Sequence, residues 1–111
     1  MANIQDDRLE VLAQLAQTIS ERAGKSSDSS YTAQLLSRGP EKCAKKFGEE
    51  AIEVVLASLD ENDEHLVAES ADVLYHLLVL LKSRNIELKS VMNELDRRTG
   101  QSGLQEKAAR K

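Results

Sequence analysis

Glu50-Ala51-Ile52-Glu53 and Glu69-Ser70-Ala71-Asp72 each place two acids three residues apart, inside strongly apolar, helix-forming surroundings. Residues three apart on an α-helix share a face, so each pair offers two carboxylates in one direction. If the two helices pack side by side, four carboxylates converge. Such a cluster repels itself unless a cation fills it, and hard divalent ions such as Mg²⁺ take oxygen ligands of this kind. Carboxylate-held metals are a common means of cleaving phosphate anhydrides.

Outward from these pairs the chain reads as helical throughout, with no convincing strand. Helices are predicted over residues 40–59 and 63–84, with Pro40 at the first position of one and Asn62 or Asp63 capping the other. Cys43, Ala44, Phe47, Ala51, Val54 and Val55 form the expected apolar face of the first of these. The second is apolar around most of its girth, including Val73, Leu74, Leu77, Leu78, Leu80 and Leu81, so it is central in the fold or buried at an oligomer interface. Upstream, Leu9, Leu12, Leu15, Ala16 and Ile19 recur at helical spacing over residues 6–23, with Gly24 as the stop. A polar loop over 25–30 follows, and Ser30 caps a short helix through Leu36. Downstream, Asn85 stops the long helix and a last one spans 87–98, with Ile86 and Val91 spaced as a hydrophobic staple. Residues 101–111 read as a flexible basic tail, which leaves 1–100 as one all-α domain of four to five helices.

Composition narrows the function. A chain of 111 residues is one domain with a thin core, which oligomerisation would help to bury. Three aromatics are too few for a nucleic-acid stacking platform, and a net charge of −4 opposes general nucleic-acid binding. Cys43 is the single cysteine, so it forms no internal disulfide and reads as a packing residue. The first residues carry acids and no apolar run, and the longest apolar run, residues 77–81, is far short of a membrane span. The expectation is a cytoplasmic protein without a membrane partner.

Lys42, Lys46, Glu49, Glu50 and Glu53 fall on one side of the helix over 40–59. Lysines near the helix start suit a phosphate, and acids one to two turns later suit the metal that the phosphate bridges. The bland alternative is a solvated charged face. His65, Glu69, Asp72 and His76 form a stripe on the next helix. Carboxylates on so apolar a helix need partners, yet the adjoining helix offers Glu50 and Glu53. Two facing acid pairs make a poor salt-bridge arrangement and a good metal site. His76 reads as a core histidine, a partner of a metal carboxylate or a substrate contact, and His65 as solvated. Zinc held by two histidines and two acids stays open, but the oxygen-rich set favours Mg²⁺ or Mn²⁺.

Ser30-Tyr31-Thr32, Leu35-Leu36-x-Arg38-Gly39-Pro40, Lys42, Lys45-Lys46-x-Gly48-Glu49-Glu50-Ala51-x-Glu53 and Glu69-Ser70-Ala71-Asp72-Val73-Leu74-Tyr75-His76 together resemble the phosphoribosyl-ATP pyrophosphatases of histidine biosynthesis. The resemblance covers about residues 7–100. The acid pairs alone are shared by the wider MazG-like all-α pyrophosphatases, and the flanking pieces carry the narrower likeness. Glu87 stands where a small capping residue is common, and Ser70 replaces a frequent alanine. The resemblance implies Mg²⁺-dependent hydrolysis of phosphoribosyl-ATP to phosphoribosyl-AMP and pyrophosphate by a homodimer or higher oligomer. It implies Glu50, Glu53, Glu69 and Asp72 as metal ligands, and Glu49 beside Glu50 to orient or deprotonate water. Lys42 and Lys46, with Arg38 or Lys45, would neutralise phosphates, and Tyr31, Thr32 and His76 would meet ribose or base. Arg97 or Arg98 would reach a phosphate or stay solvated. A housekeeping nucleoside-triphosphate pyrophosphatase and a non-enzymatic helical interaction module are the rival readings.

Overall fold

A run of well-placed cap residues divides the chain into its helices. The computed structural model describes residues 7–26, 28 and 30–99. Among them are five α-helices and no strand: α1 (Glu10–Ala23), α2 (Tyr31–Ser37), α3 (Pro40–Ser58), α4 (Asp63–Ser83) and α5 (Leu88–Thr99). The expected tail over 101–111 lies outside the described residues. None of the described helices is long and apolar enough to cross a membrane.

α1 is entered through a 3-10 turn, Asp7–Leu9, because Leu9 at the cap position has no side chain that could accept from an exposed amide. α2 has such a side chain. The Ser30 hydroxyl accepts from the Ala33 amide at 3.2 Å, and a seven-residue helix depends heavily on that bond. Gly39 then turns the chain at φ 90° and ψ 169°, and Pro40 starts α3 with its fixed φ. Asn62 caps α4 by accepting from the His65 amide at 3.2 Å. At the other end of α4, Asn85 takes φ 58°. Its amide bonds to Lys82 O and the Ile86 amide to Leu81 O, the paired bonds of a Schellman stop.

α3 and α4 form an antiparallel hairpin joined by residues 59–62, with α1 and α2 packed across it. The core is Ile19, Leu35, Cys43, Leu78 and Val79, flanked by Leu12, Leu15, Leu36, Tyr75 and Leu80. Cys43 donates its thiol to the Leu35 carbonyl at 3.3 Å, and burial pushes its pKa up. It is a packing residue that also ties α3 to α2. The inner face of α3 differs from the expected one: Ala44 is exposed and Val55 is 60% exposed. Ile52, Val55, Leu56 and Leu59 instead make a second apolar stripe that points away from α4. Val67 and Leu74 of α4 are exposed as well. That apolar helix therefore divides its girth between the core and the surface.

Gly39→Ala should lower stability by about 1–3 kcal/mol, since its dihedrals belong to glycine alone although a Cβ would meet nothing within 4 Å. Asn85→Gly, at a left-handed stop, should be neutral or slightly stabilising. Urea midpoints at unchanged m-value check both, and an unshifted midpoint for Gly39→Ala contradicts the account of that turn.

Candidate metal and substrate site

The hairpin determines where the acids lie. Glu50 sits on the α4-facing side of α3, one turn from Lys46 and three residues from Glu53. Glu69 and Asp72 face it from the first half of α4. One carboxylate oxygen from each of Glu50, Glu69 and Asp72 lies within 4.8 Å of the others. Glu50 and Glu69 are largely covered, with side chains 17% and 19% exposed, whereas Asp72 is exposed. Oxygens around one Mg²⁺ ion at 2.0–2.1 Å stand about 3 Å apart when adjacent and about 4 Å when opposite. Small side-chain rotations bring the three acids to that spacing, so the donor set fits a hard divalent ion in both chemistry and position. Glu53 lines the same cleft, with Lys46 and Glu49, but stands outside the tight group of three.

Lys46 supplies the positive charge next to the acids. Its ammonium lies 3.5 Å from Glu50 Oε1 and 3.9 Å from Glu49 Oε1. It also belongs to a second cleft, of about 290 Å³, between α2 and α3. That cleft is lined by Tyr31, Gln34, Leu35, Arg38, Lys42 and Lys45 as well. Four cations and five carboxylates thus line adjoining clefts that share Lys46 and Glu49. A polyanion in the basic cleft would reach the acidic one across those two side chains.

Several expected contacts are placed otherwise. Thr32 is buried, and its hydroxyl is hydrogen-bonded to the Tyr75 hydroxyl at 2.5 Å, so it braces α2 against α4 and lines neither cleft. Tyr31 is 54% exposed on the rim of the basic cleft. His76 is buried behind the acids, with Nε2 3.7 Å from Glu50 Oε1 and its ring edge-on to Tyr75. Burial lowers its pKa against the opposing pull of Glu50. It stands beside Glu50 and lines neither cleft. Arg97 and Arg98 both bind Glu94, at 2.6 and 2.9 Å, holding that carboxyl at a pKa of about 2.

Sequence reading missed Gln34 and the partners of His65. Gln34 follows Tyr31 by three residues on α2, a spacing that carries it to the same cleft. His65 is exposed, as expected, with Nδ1 2.8 Å from Asp60 Oδ2 and Nε2 3.6 Å from Glu69 Oε1. The hydrogen bond to Asp60 is the main cause of its raised pKa and of the lowered pKa of Asp60. Glu69 at i+4 was the visible signal, while Asp60 is brought round by the turn.

Residues 12–99 match the family described as Phosphoribosyl-ATP pyrophosphohydrolase. The chain is 55% identical over 100 residues to a Rhodopseudomonas palustris protein named Phosphoribosyl-ATP pyrophosphatase 1, covering 90% of this chain and 94% of the relative. It is 53% identical over 100 residues to Phosphoribosyl-ATP pyrophosphatase of Paracoccus denitrificans, covering 90% and 93%. Against the Bradyrhizobium diazoefficiens Phosphoribosyl-ATP pyrophosphatase 1 the identity is 56% over 97 residues, covering 87% and 92%. With the match running from α1 through α5 and enclosing both clefts, the chain belongs to the phosphoribosyl-ATP pyrophosphohydrolase family.

Proposed function

We propose that this chain hydrolyses phosphoribosyl-ATP to phosphoribosyl-AMP and pyrophosphate, in histidine biosynthesis, with Mg²⁺ or Mn²⁺ as cofactor. The carrying observation is the meeting of Glu50, Glu69 and Asp72 beside a basic cleft that shares Lys46 and Glu49 with them. The names of the relatives support the substrate. A small soluble nucleotide substrate is consistent with a cytoplasmic enzyme and gives no reason for nucleic-acid or membrane partners.

Glu50, Glu69 and Asp72 would hold the ion, with Glu53 adding a fourth carboxylate to the cleft. When bound, the ion supplies Lewis acidity at the triphosphate and acidifies water. Arg38, Lys42, Lys45 and Lys46 bind the triphosphate oxygens and offset their charge beside the acids. Tyr31 on the rim offers its ring and hydroxyl to the ribose or base. Glu49, common to both clefts, stands where a water between phosphate and acids would be, and accepts the proton as that water attacks. His76 positions Glu50 from behind. Release of pyrophosphate from phosphoribosyl-ATP, measured against a panel of free nucleoside triphosphates, tests the reading. Preference for ordinary triphosphates would favour the housekeeping alternative.

Glu69→Gln and Asp72→Asn should each lower kcat by about 10²-fold or more with the fold intact, since each removes ligand charge at nearly constant size. Circular dichroism and steady-state kinetics check this, and near-native turnover in both would refute the carboxylate site. Lys46→Ala should raise KM for substrate more than it lowers kcat, because a point charge contributes in ground and transition states alike. An unchanged KM would return Lys46 to a solvated face.

We also propose a homodimer or higher oligomer closed through Ile52, Val55, Leu56 and Leu59 of α3 with Val67 and Leu74 of α4. Burying such side chains is worth roughly 1.5–3 kcal/mol each. Light scattering at micromolar concentration should give at least a dimer, and Leu56→Glu should shift it toward monomer. A fully active native monomer would contradict the assembly.

A further inference from the structure

We infer that Gln34 reads the adenine of the substrate, its carboxamide paired with the N6 and N7 edge of the base and the Tyr31 ring stacked beside it. The inference rests on the reading of the chain as a phosphoribosyl-ATP hydrolase and names the group that selects the base. The rotation of α2 is fixed by what it buries. Thr32, Ala33 and Leu35 turn inward, and the Thr32 hydroxyl is hydrogen-bonded to that of Tyr75 on α4 at 2.5 Å. The opposite flank is left to the basic cleft. Tyr31, Gln34 and Arg38, spaced three and four residues apart, are exposed and line it. This wall is therefore set by the core beneath it.

The chemistry changes along the wall. Arg38 stands with Lys42, Lys45 and Lys46, the four cations of the cleft, whereas Tyr31 and Gln34 are neutral and polar. A nucleotide laid along it puts phosphates on the cations and its base against the neutral pair. The Gln34 carboxamide has no hydrogen-bond partner among the described residues. It offers a carbonyl acceptor and two N–H donors in one plane. Adenine presents an N–H at N6 beside an acceptor at N7, and a glutamine meets that edge with two parallel hydrogen bonds. In phosphoribosyl-ATP the second ribose is attached at N1, so the edge left open to a side chain is the one carrying N6 and N7. A base with oxygen at position 6 presents two acceptors there, and one of the two bonds is lost. An aromatic ring stacks on any base. Tyr31 thus adds hold, and Gln34 adds choice.

Steady-state kinetics of the full chain with Mg²⁺ tests the inference, using phosphoribosyl-ATP and its 7-deaza analogue, in which C–H replaces N7. Gln34 is exposed on a helix and alanine is a good helix former, so Gln34→Ala keeps the fold. The variant is expected to raise KM for phosphoribosyl-ATP about tenfold, with kcat changed by less than about twofold. The 7-deaza substitution should raise the native KM about fivefold. It should leave the KM of the variant unaltered, because the partner of N7 is already gone. An unchanged KM for phosphoribosyl-ATP in the variant would overturn the inference, returning Gln34 to solvent. So would a 7-deaza penalty of equal size in native and variant, which would assign N7 to another group. A native chain active on phosphoribosyl-ATP but indifferent to N7 defeats the base contact alone. A native chain that does not hydrolyse phosphoribosyl-ATP defeats the proposed function along with it.

Discussion

The antiparallel packing of α3 against α4 brings Glu50 to Glu69 and Asp72, and it does so against their mutual repulsion. The packing is paid for by apolar contact elsewhere along the pair, through Cys43, Leu78 and Val79 in the shared core. Lys46 and His76 each place a nitrogen near Glu50, and His65 does the same near Glu69. The acids are therefore held in a scaffold rigid enough to keep like charges together. That constraint explains the positions of the surrounding elements. α2 is short, capped by Ser30 and braced by the Thr32–Tyr75 bond, and it forms one wall of the basic cleft. Gly39 and Pro40 then set the direction in which α3 leaves.

Much of this was legible because it is written in local chemistry. Ser30, Pro40 and Asn62 mark helix starts through hydrogen bonds and fixed φ values that involve only near neighbours. The acid pairs declared a shared face by spacing alone, and the hairpin brought three of the four acids into one tight group. What sequence could not supply was information carried by distant partners. Thr32 lies 43 residues from the tyrosine whose hydroxyl it is hydrogen-bonded to. Periodicity shows that α3 has apolar stripes but does not say which stripe faces α4, so Val55 was assigned inward and stands outward. The pairing of His65 with Asp60 was hidden because Asp60 reaches the ring only through the turn.

Family membership and geometry give complementary parts of the functional account. The relatives' names carry the substrate, and the adjoining acidic and basic clefts carry the chemistry that a triphosphate requires. The exposed apolar stripe of α3 lies on the side away from α4, so assembly through it would leave the acid group between the helices undisturbed. One amphipathic element thereby serves core, site and surface with three different faces.

The central claim is that the hairpin stores carboxylate repulsion which a divalent cation relieves. Thermal melting of the native chain and of Glu69→Gln across a range of Mg²⁺ concentrations tests it most directly. The account predicts a native melting temperature that rises with Mg²⁺. It also predicts a variant that melts higher than the native chain without metal and responds little to added Mg²⁺. A native chain indifferent to Mg²⁺, together with a variant no more stable than native in its absence, would contradict it.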